Sequence, residues 1–382
     1  MRQVAVIGIG QTKVDEHWDK SLRELAGDAA LAALADSGLD LVEAVYVGNM
    51  MSGSANRQQH LGAYIADWIG MRGAEAFRTE AACSSGAASF RTAVMAVASG
   101  MVNSALAVGV EKMTDSPLGE ITAALATAAD ADWEAGQGLS FVSLNALLMR
   151  RYMHEFGWEK EHFAPFSVNA HANAMHNPHA RFHDELTTEK YLKASMVNDP
   201  INLMDASPIG DGAAAAIVIP LELARRVDGH PTVLVAASSA ATDTLAVQHR
   251  KDPLFLKAAY LSGKKAYEQA GITAQDVDLH PVADLEIPGL PEGRCVVPGP
   301  EHQRAIRRRD PQLRARRAAQ HGQDRARRGG HGGPRRRHIG IQRIRGAKGR
   351  TQRHVDHVDG IRDVAVAVRV ERELDALQDR DA

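Results

Sequence analysis

A single thiol occupies the position in this chain where residue types and spacing most clearly allow chemistry. In the run Thr79-Glu80-Ala81-Ala82-Cys83-Ser84-Ser85-Gly86-Ala87-Ala88-Ser89, Cys83 closes a short strand-like segment, Phe77 to Cys83. It precedes a helix-like stretch rich in Ala and Ser, Ser84 to Ser99. At such a joint the helix N-terminus offers unpaired N–H groups and a partial positive charge, which favour thiolate over thiol and can hold an oxyanion. Gly86 and its flanking alanines leave room for a carbonyl to approach, so the site suits nucleophilic acyl transfer. The competing reading is that Cys83 is a small buried side chain that only packs. Position and flanks alone leave both readings open.

Two other groups invite chemistry and carry less. Gly8-Ile9-Gly10 after a strand hints at a dinucleotide site, but Lys13 occupies the third glycine position, so a tight turn is the better reading. His171, His176, His179 and His183 resemble metal ligands, yet their spacing matches no closed zinc set and no Cys accompanies them. They are expected on a polar face, with no metal bound.

The elements that must position Cys83 follow from periodicity. Val4 to Gly10 reads as a buried strand, and Ser21 to Gly38 as an amphipathic helix. Its apolar face is Leu22, Leu25, Ala26, Ala29, Ala30, Ala33 and Leu34, with Gly38 at the stop. Leu41 to Val47 is a second strand, and this β-α-β unit predicts a mostly parallel sheet covered by helices. Ser84 to Ser99 carries almost no charge apart from Arg91, so that helix should be buried on most sides. Ser104 to Val110 is the strand after it. Residues 113–203 form an excursion with helical pieces at Phe141 to Phe156 and Ala164 to Met175, read as a substrate-covering subdomain or a dimerisation arm. Ala213 to Ile219 returns to the core as a strand. The opening pattern then repeats: a strand at Thr232 to Ala237, a helix at Pro253 to Gly271 and the start of a strand at Val277 to Leu279. This repetition points to an internal duplication.

Composition places a break after that repeat. The chain of 382 residues is 45% hydrophobic with a formal net charge of -2. Residues 301–382 nevertheless carry +11 and residues 1–300 carry -13. From about Glu286 the chain turns to Pro, Gly and Arg, with runs such as Arg307-Arg308-Arg309 and Arg335-Arg336-Arg337 and no aromatic residue after 301. Such a segment cannot bury enough apolar surface to offset its ordering entropy, and disorder is expected. It reads as the product of a reading-frame accident in GC-rich DNA, the rival being a basic arm that binds nucleic acid or acidic surfaces. Two cysteines, Cys83 and Cys295, build no disulfide framework and fit a reducing compartment. No apolar run approaches the roughly 18 residues of a membrane span, and the start has no signal-peptide form. A cytoplasmic protein with no membrane partner and no nucleic-acid role is expected.

Four segments together resemble successive signatures of the thiolase superfamily, in that family's order and approximate spacing. They are Val6-Ile7-Gly8-Ile9-Gly10-Gln11-Thr12-Lys13, the Cys83 run, Val108-Gly109-Val110-Glu111-Lys112-Met113 and Asp205-Ala206-Ser207-Pro208-Ile209-Gly210-Asp211-Gly212-Ala213-Ala214-Ala215. Arg151-Tyr152-Met153-His154, Asn169-Ala170-His171-Ala172-Asn173 and Asn177-Pro178 are similar to the branch of sterol-carrier-protein-linked thiolases and archaeal acetyl-CoA acetyltransferases.

The resemblance covers about the first 280 residues. It implies an α/β fold of duplicated α/β/α/β/α layers, divided into an N-terminal half (1–221, including the excursion at 113–203) and the start of a C-terminal half (231–285). The second half is incomplete, and the Arg-rich tail (286–382) follows it. It further implies an acyl group carried on Cys83, an acyl-CoA or 3-oxoacyl-CoA substrate, no permanently bound cofactor, and a homodimer or a partner subunit. The alternative is a catalytically impaired acyl-CoA binder or partner subunit. That alternative arises because Ala283-Asp284-Leu285 stands where the family has His-Asp-Ala, while His280, His331 and Cys295 lie outside the family's C-terminal motifs. None of those three is assigned a role.

Overall fold

The computed structural model describes residues 1–224, 233–274 and 277, together with the backbone of a strand at 364–370. All of these belong to one compact unit. The chain opens with β1 (Val4–Gln11), α1 (Leu22–Ser37) and β2 (Ala44–Gly48). The short α2 (Ser52–Ala55) and α3 (Leu61–Trp68) lead to β3 (Glu75–Thr79), then α4 (Ser85–Ser99) and β4 (Ala105–Glu111). The excursion carries α5 (Leu118–Ala126), α6 (Phe141–Phe156), α7 (Ala164–Ala174), α8 (Thr188–Leu192) and the small hairpin β5 (Met196–Asn198) and β6 (Ile201–Asn202). β7 (Gly212–Pro220) and α9 (Leu221–Ala224) return to the core, followed by β8 (Val233–Ala240), α10 (Lys257–Ala270) and β9 (Val364–Val370).

Seven strands form one sheet in the order β3-β2-β4-β7-β1-β8-β9. β2 pairs parallel with both β3 and β4, whereas the pairings of β7 with β4 and β1, and of β8 with β1 and β9, are antiparallel. The expectation of a mostly parallel sheet is therefore corrected to a mixed sheet. Its cause is a long-range partner: β7 inserts between β1 and β4 with its direction reversed, and periodicity within each segment carries no information about that.

The helix α1 forms for the reasons its sequence gives. Ser21 accepts from the Glu24 backbone N–H while the Glu24 carboxylate accepts from the Ser21 N–H, a reciprocal cap, and Gly38 ends the helix at φ 68°. All seven of its expected apolar positions are buried against the sheet. Gly8 and Gly10 explain how close it lies. They sit inside β1, not in a turn, and a Cβ on Gly10 would fall 2.1 Å from the Ala29 carbonyl oxygen. The two glycines thus serve helix packing, and the turn reading is corrected.

One core lies between α1, α3 and the sheet, and a second lies between α4 and the opposite sheet face. α4 buries a single stripe, Ser85, Ser89, Ala93 and Val97 with Val94, and leaves Met95 exposed. Its burial is thus narrower than the uncharged sequence suggested. Among the described residues the second half contributes β8, a 3-10 turn at Val247–His249 and α10, with β8 paired to β1 of the first half's sheet. Of the strand start expected at Val277 to Leu279, Val277 is described and lies in no strand, its N–H donating to the Ala274 carbonyl; residues 278 and 279, and all of 286–382 apart from Val364–Val370, lie outside the described residues. Those seven residues depart from the disorder expected of the tail: Val-Ala-Val-Ala-Val-Arg-Val is a β-branched run that pairs along β8.

Candidate active site

Because β2, β3 and β4 are parallel, their C-terminal ends share one edge of the sheet. The register aligns Gly48 with both Thr79 and Gly109. β7 runs the other way, so it begins at that edge, where Gly212 pairs with Glu111, and β1 ends there with Gln11 opposite Ala214. All four family-like segments therefore converge on one edge of the sheet, at strand ends where α/β folds commonly place their sites.

Cys83 lies on the turn between β3 and α4. It belongs to no disulfide and is exposed, which counts against the packing reading. Ala82 before it adopts φ 47°, a left-handed conformation that a side chain with Cβ rarely takes. The turn is held by short local bonds. The Ser84 N–H donates to the Ala81 carbonyl at 2.9 Å, the Ser85 N–H to the Ala82 carbonyl at 3.1 Å, and the Ala82 N–H to Glu80 Oε1 at 2.5 Å. Ser84 leaves the start of α4 without a side-chain cap. Glycines let that helix start press onto the sheet. A Cβ on Gly48 would sit 2.2 Å from the Ser85 carbonyl oxygen, and Gly86 and Gly109 face each other in the same place.

On the same edge of the sheet, at the end of β4 and the start of β7, lies a buried ion pair. Lys112 Nζ donates to Asp211 Oδ2, Asp115 Oδ1 and Thr114 Oγ1, each at 2.8 Å. The side chains of Lys112 and Asp211 are both fully enclosed. Asp211 also accepts from the backbone N–H groups of His17, Met113 and Thr114 and from Thr114 Oγ1. Burial disfavours its charge, but the bonds from Lys112 and Thr114 outweigh burial and hold the carboxyl below the usual range. Burial likewise opposes the charge on Lys112, and its two carboxylate partners raise the ammonium pKa nonetheless. Glu111 beside them is the opposite case: burial pushes its carboxyl up to about 7, against the hydrogen bonds from the Met50 and Met51 N–H groups. Arg78 on β3 clamps the loop after β2, donating to the Asn49 and Met50 carbonyls. A cavity of about 410 Å³ opens beside this network, lined by Asn56, Arg57, Asp115 and Ser116 among others. Asn56 Oδ1 is buried without a donor among the described residues.

The structure brings Cys83, Glu111, Lys112 and Asp211 to one sheet edge, and two of the excursion's histidines are engaged with backbone carbonyls. His171 Nδ1 contacts the Asp184 carbonyl and His183 Nε2 the Asn177 carbonyl, and among the described residues no His, Cys, Asp or Glu group is placed to hold a metal. Cys295, His280, His331 and Ala283 lie outside the described residues. In the sequence Glu111, Lys112 and Asp211 stand out only as parts of the family-like segments. A Lys and an Asp at strand ends, each beside a small apolar run, were the available signal of a buried pair.

Residues 4–222 match the family model described as the thiolase N-terminal domain. The chain belongs to the thiolase family. It is an acyltransferase of the thiolase type, a member whose described part is the N-terminal half with a short continuation. Among its relatives, an acetyl-CoA acetyltransferase of Methanothermobacter thermautotrophicus is 44% identical over 286 residues, covering 74% of each chain. That of Methanocaldococcus jannaschii is 41% identical over 74% of this thiolase and 73% of its own length. The benzoylsuccinyl-CoA thiolase subunit BbsB of Thauera aromatica is 30% identical over 73% of this chain and 71% of its own. Of solved structures, the Ltp2-ChsH2(DUF35) aldolase superposes with a TM-score of 0.59 at 26% identity, over 72% of this chain and 71% of that one. An acetyl-CoA acetyltransferase from Syntrophomonas wolfei gives 0.58 at 17% over 73% and 78%, a likeness of fold.

Proposed function

We propose that Cys83 is the nucleophile of an acetyl-CoA C-acyltransferase-like reaction on acyl-CoA or 3-oxoacyl-CoA. The Cys83 sulfur attacks the thioester or 3-oxo carbonyl carbon and forms a carbon–sulfur bond. The bond to the CoA sulfur, or to the α-carbon, breaks, and the leaving group takes up a proton. The observation that carries this reading is the exposed thiol on a left-handed turn at the start of α4, on the sheet edge where the family's segments meet. No cofactor beyond the CoA thioester enters the reaction, and a cytoplasmic setting suits a catalytic thiol.

Intact-mass spectrometry after incubation with acetyl-CoA and longer acyl-CoAs tests the proposal. An acyl adduct on the wild-type chain that is absent from Cys83→Ala, with one CoA released per adduct, is the expected result. A folded protein that gains no adduct sinks it. The rival reading, an acyl-CoA binder without turnover, is not favoured, because the relatives at 44% and 41% identity are named acetyl-CoA acetyltransferases.

For assembly we propose a homodimer through β3. This strand forms the edge of the sheet, and Phe77 on it is exposed, so a second copy can continue the sheet and cover the ring. Light scattering should give twice the chain mass, and Phe77→Lys should lower it to one chain. The names of two relatives, a thiolase subunit and an aldolase written as a two-component complex, support a partner subunit as the second reading. A monomer in isolation that associates with another polypeptide would favour it.

A further inference from the structure

The turn that carries Cys83 is held by a side chain outside the reaction itself. Ser85 is buried, with 3% of its surface exposed. Its hydroxyl donates to the Ala82 carbonyl at 2.6 Å and accepts from the Ala81 N–H at 3.0 Å. One oxygen thus ties together the residues on either side of the Ala81–Ala82 peptide, and the Ser85 N–H reaches the same Ala82 carbonyl. Without that clamp the Ala81 N–H loses its partner, and Ala82 at φ 47° keeps only the Ser85 N–H on its carbonyl and the Glu80 carboxylate on its own N–H. The other side of Ser85 is fixed as well. Thr79 Oγ1 donates to its carbonyl at 3.4 Å, and that carbonyl lies where a Cβ on Gly48 would be. Ser85 therefore transmits the position of the sheet to the nucleophile two residues before it.

We infer that Ser85 is a positioning residue, whose hydroxyl holds Ala82 in the left-handed conformation and so aims Cys83 at the substrate carbonyl. This rests on Cys83 being the acylated residue. The consequence is specific: loss of the hydroxyl should misplace the thiol without removing it. A displacement of the order of an ångström in a reacting group can cost about a hundredfold in rate. Glycine adopts positive φ at no steric cost, so Ala82→Gly should restore the turn when the clamp is gone, whereas it would not repair a general loss of packing.

The experiment measures single-turnover acylation of Cys83 by saturating acetyl-CoA, and alkylation of Cys83 by iodoacetamide at pH 7. It uses the full-length wild type, Ser85→Ala, and Ser85→Ala combined with Ala82→Gly, with circular dichroism confirming that each is folded at the assay temperature. Acylation should fall about a hundredfold in Ser85→Ala with the half-saturating acetyl-CoA concentration little changed, and the double variant should regain roughly tenfold or more. Alkylation should slow roughly tenfold, as the thiol moves relative to the helix start that favours thiolate, and recover in the double variant. Rates within about threefold of wild type in Ser85→Ala, or a loss that Ala82→Gly does not repair, overturn the inference. If the wild type forms no acyl adduct, the acyl-transfer reading fails by itself. The alkylation rates then still decide whether Ser85 sets the turn.

Discussion

Glu111 ends β4 with its carboxyl enclosed among the N–H groups of Met50 and Met51. Burial raises its pKa to about 7 from the 4.5 of an unfolded chain, so between these values the folded state holds a proton that the unfolded state has released. Its contribution to stability is full below about pH 4.5 and fades as pH rises through 7, a loss of up to about 3 kcal/mol. Asp211 runs the other way: its lowered pKa contributes stability that is present above 3.8 and lost only on stronger acidification. Urea unfolding at pH 5, 6, 7 and 8 should therefore show wild type losing stability across the series while Glu111→Gln stays flat, because the amide has no proton to lose. Parallel curves for the two proteins would place the ionisation elsewhere. At this scale the sequence was partly legible. Cys83 was found from its flanks, but the pairing of Lys112 with Asp211 joins residues 99 positions apart, and nothing local to either predicts the partner.

Among elements, the contact that matters most is between the start of α4 and the ends of β2 and β4. Gly48 is the tightest point, since its missing side chain makes room for the Ser85 backbone. Gly48→Ala should shift α4 and lower stability by about 1–3 kcal/mol, as overpacking generally does, and should slow acylation of Cys83. Gly119→Ala is the control, since nothing lies within 4 Å of its added methyl and a helical Gly-to-Ala change is neutral or stabilising. Equal unfolding midpoints in urea for the two variants would refute the close-packing account. The local pattern foretold α1 to its caps and α6 to its ends, because both rest on periodicity and capping chemistry within one segment. It misjudged the direction of most strand pairings, because these depend on β7, which lies far away in the chain, and it overstated the burial of α4, which leaves Met95 exposed.

For the whole molecule, the two half-reactions of a thiolase separate along the chain. The thiol lies in the matched N-terminal domain, while the position where the resemblance would place a histidine carries Ala283. General acid–base assistance is commonly worth about 10²- to 10⁴-fold. Acylation of Cys83 by acetyl-CoA should accordingly outpace steady-state condensation to acetoacetyl-CoA by a factor in that range. Burst kinetics, with CoA release followed by chromatography of acid-quenched samples, should show about one CoA per chain released before a slow phase. A linear trace with no burst and rapid turnover would mean that another group supplies the proton transfer. The fold class was legible at this scale because four motifs kept their order. The seven residues Val364–Val370 were not, since their pairing with β8 joins the last part of the chain to a strand more than 120 residues earlier.

The central place of β7 has a consequence in time. This strand begins at Gly212 and separates β1 from β4, so until β7 has been synthesised β1 has no partner in the sheet and β4 pairs only with β2. At roughly 5–20 residues per second, a ribosome needs on the order of ten seconds or more to reach it. Once Cys83 has been made, the nascent chain carries the thiol on the β2, β3 and β4 side of the edge, while β7, and with it Asp211, the buried partner of Lys112, is still to come. The nucleophile is therefore made well before the buried ion pair on the same edge, and an unfinished chain presents the thiol while Lys112 still lacks Asp211.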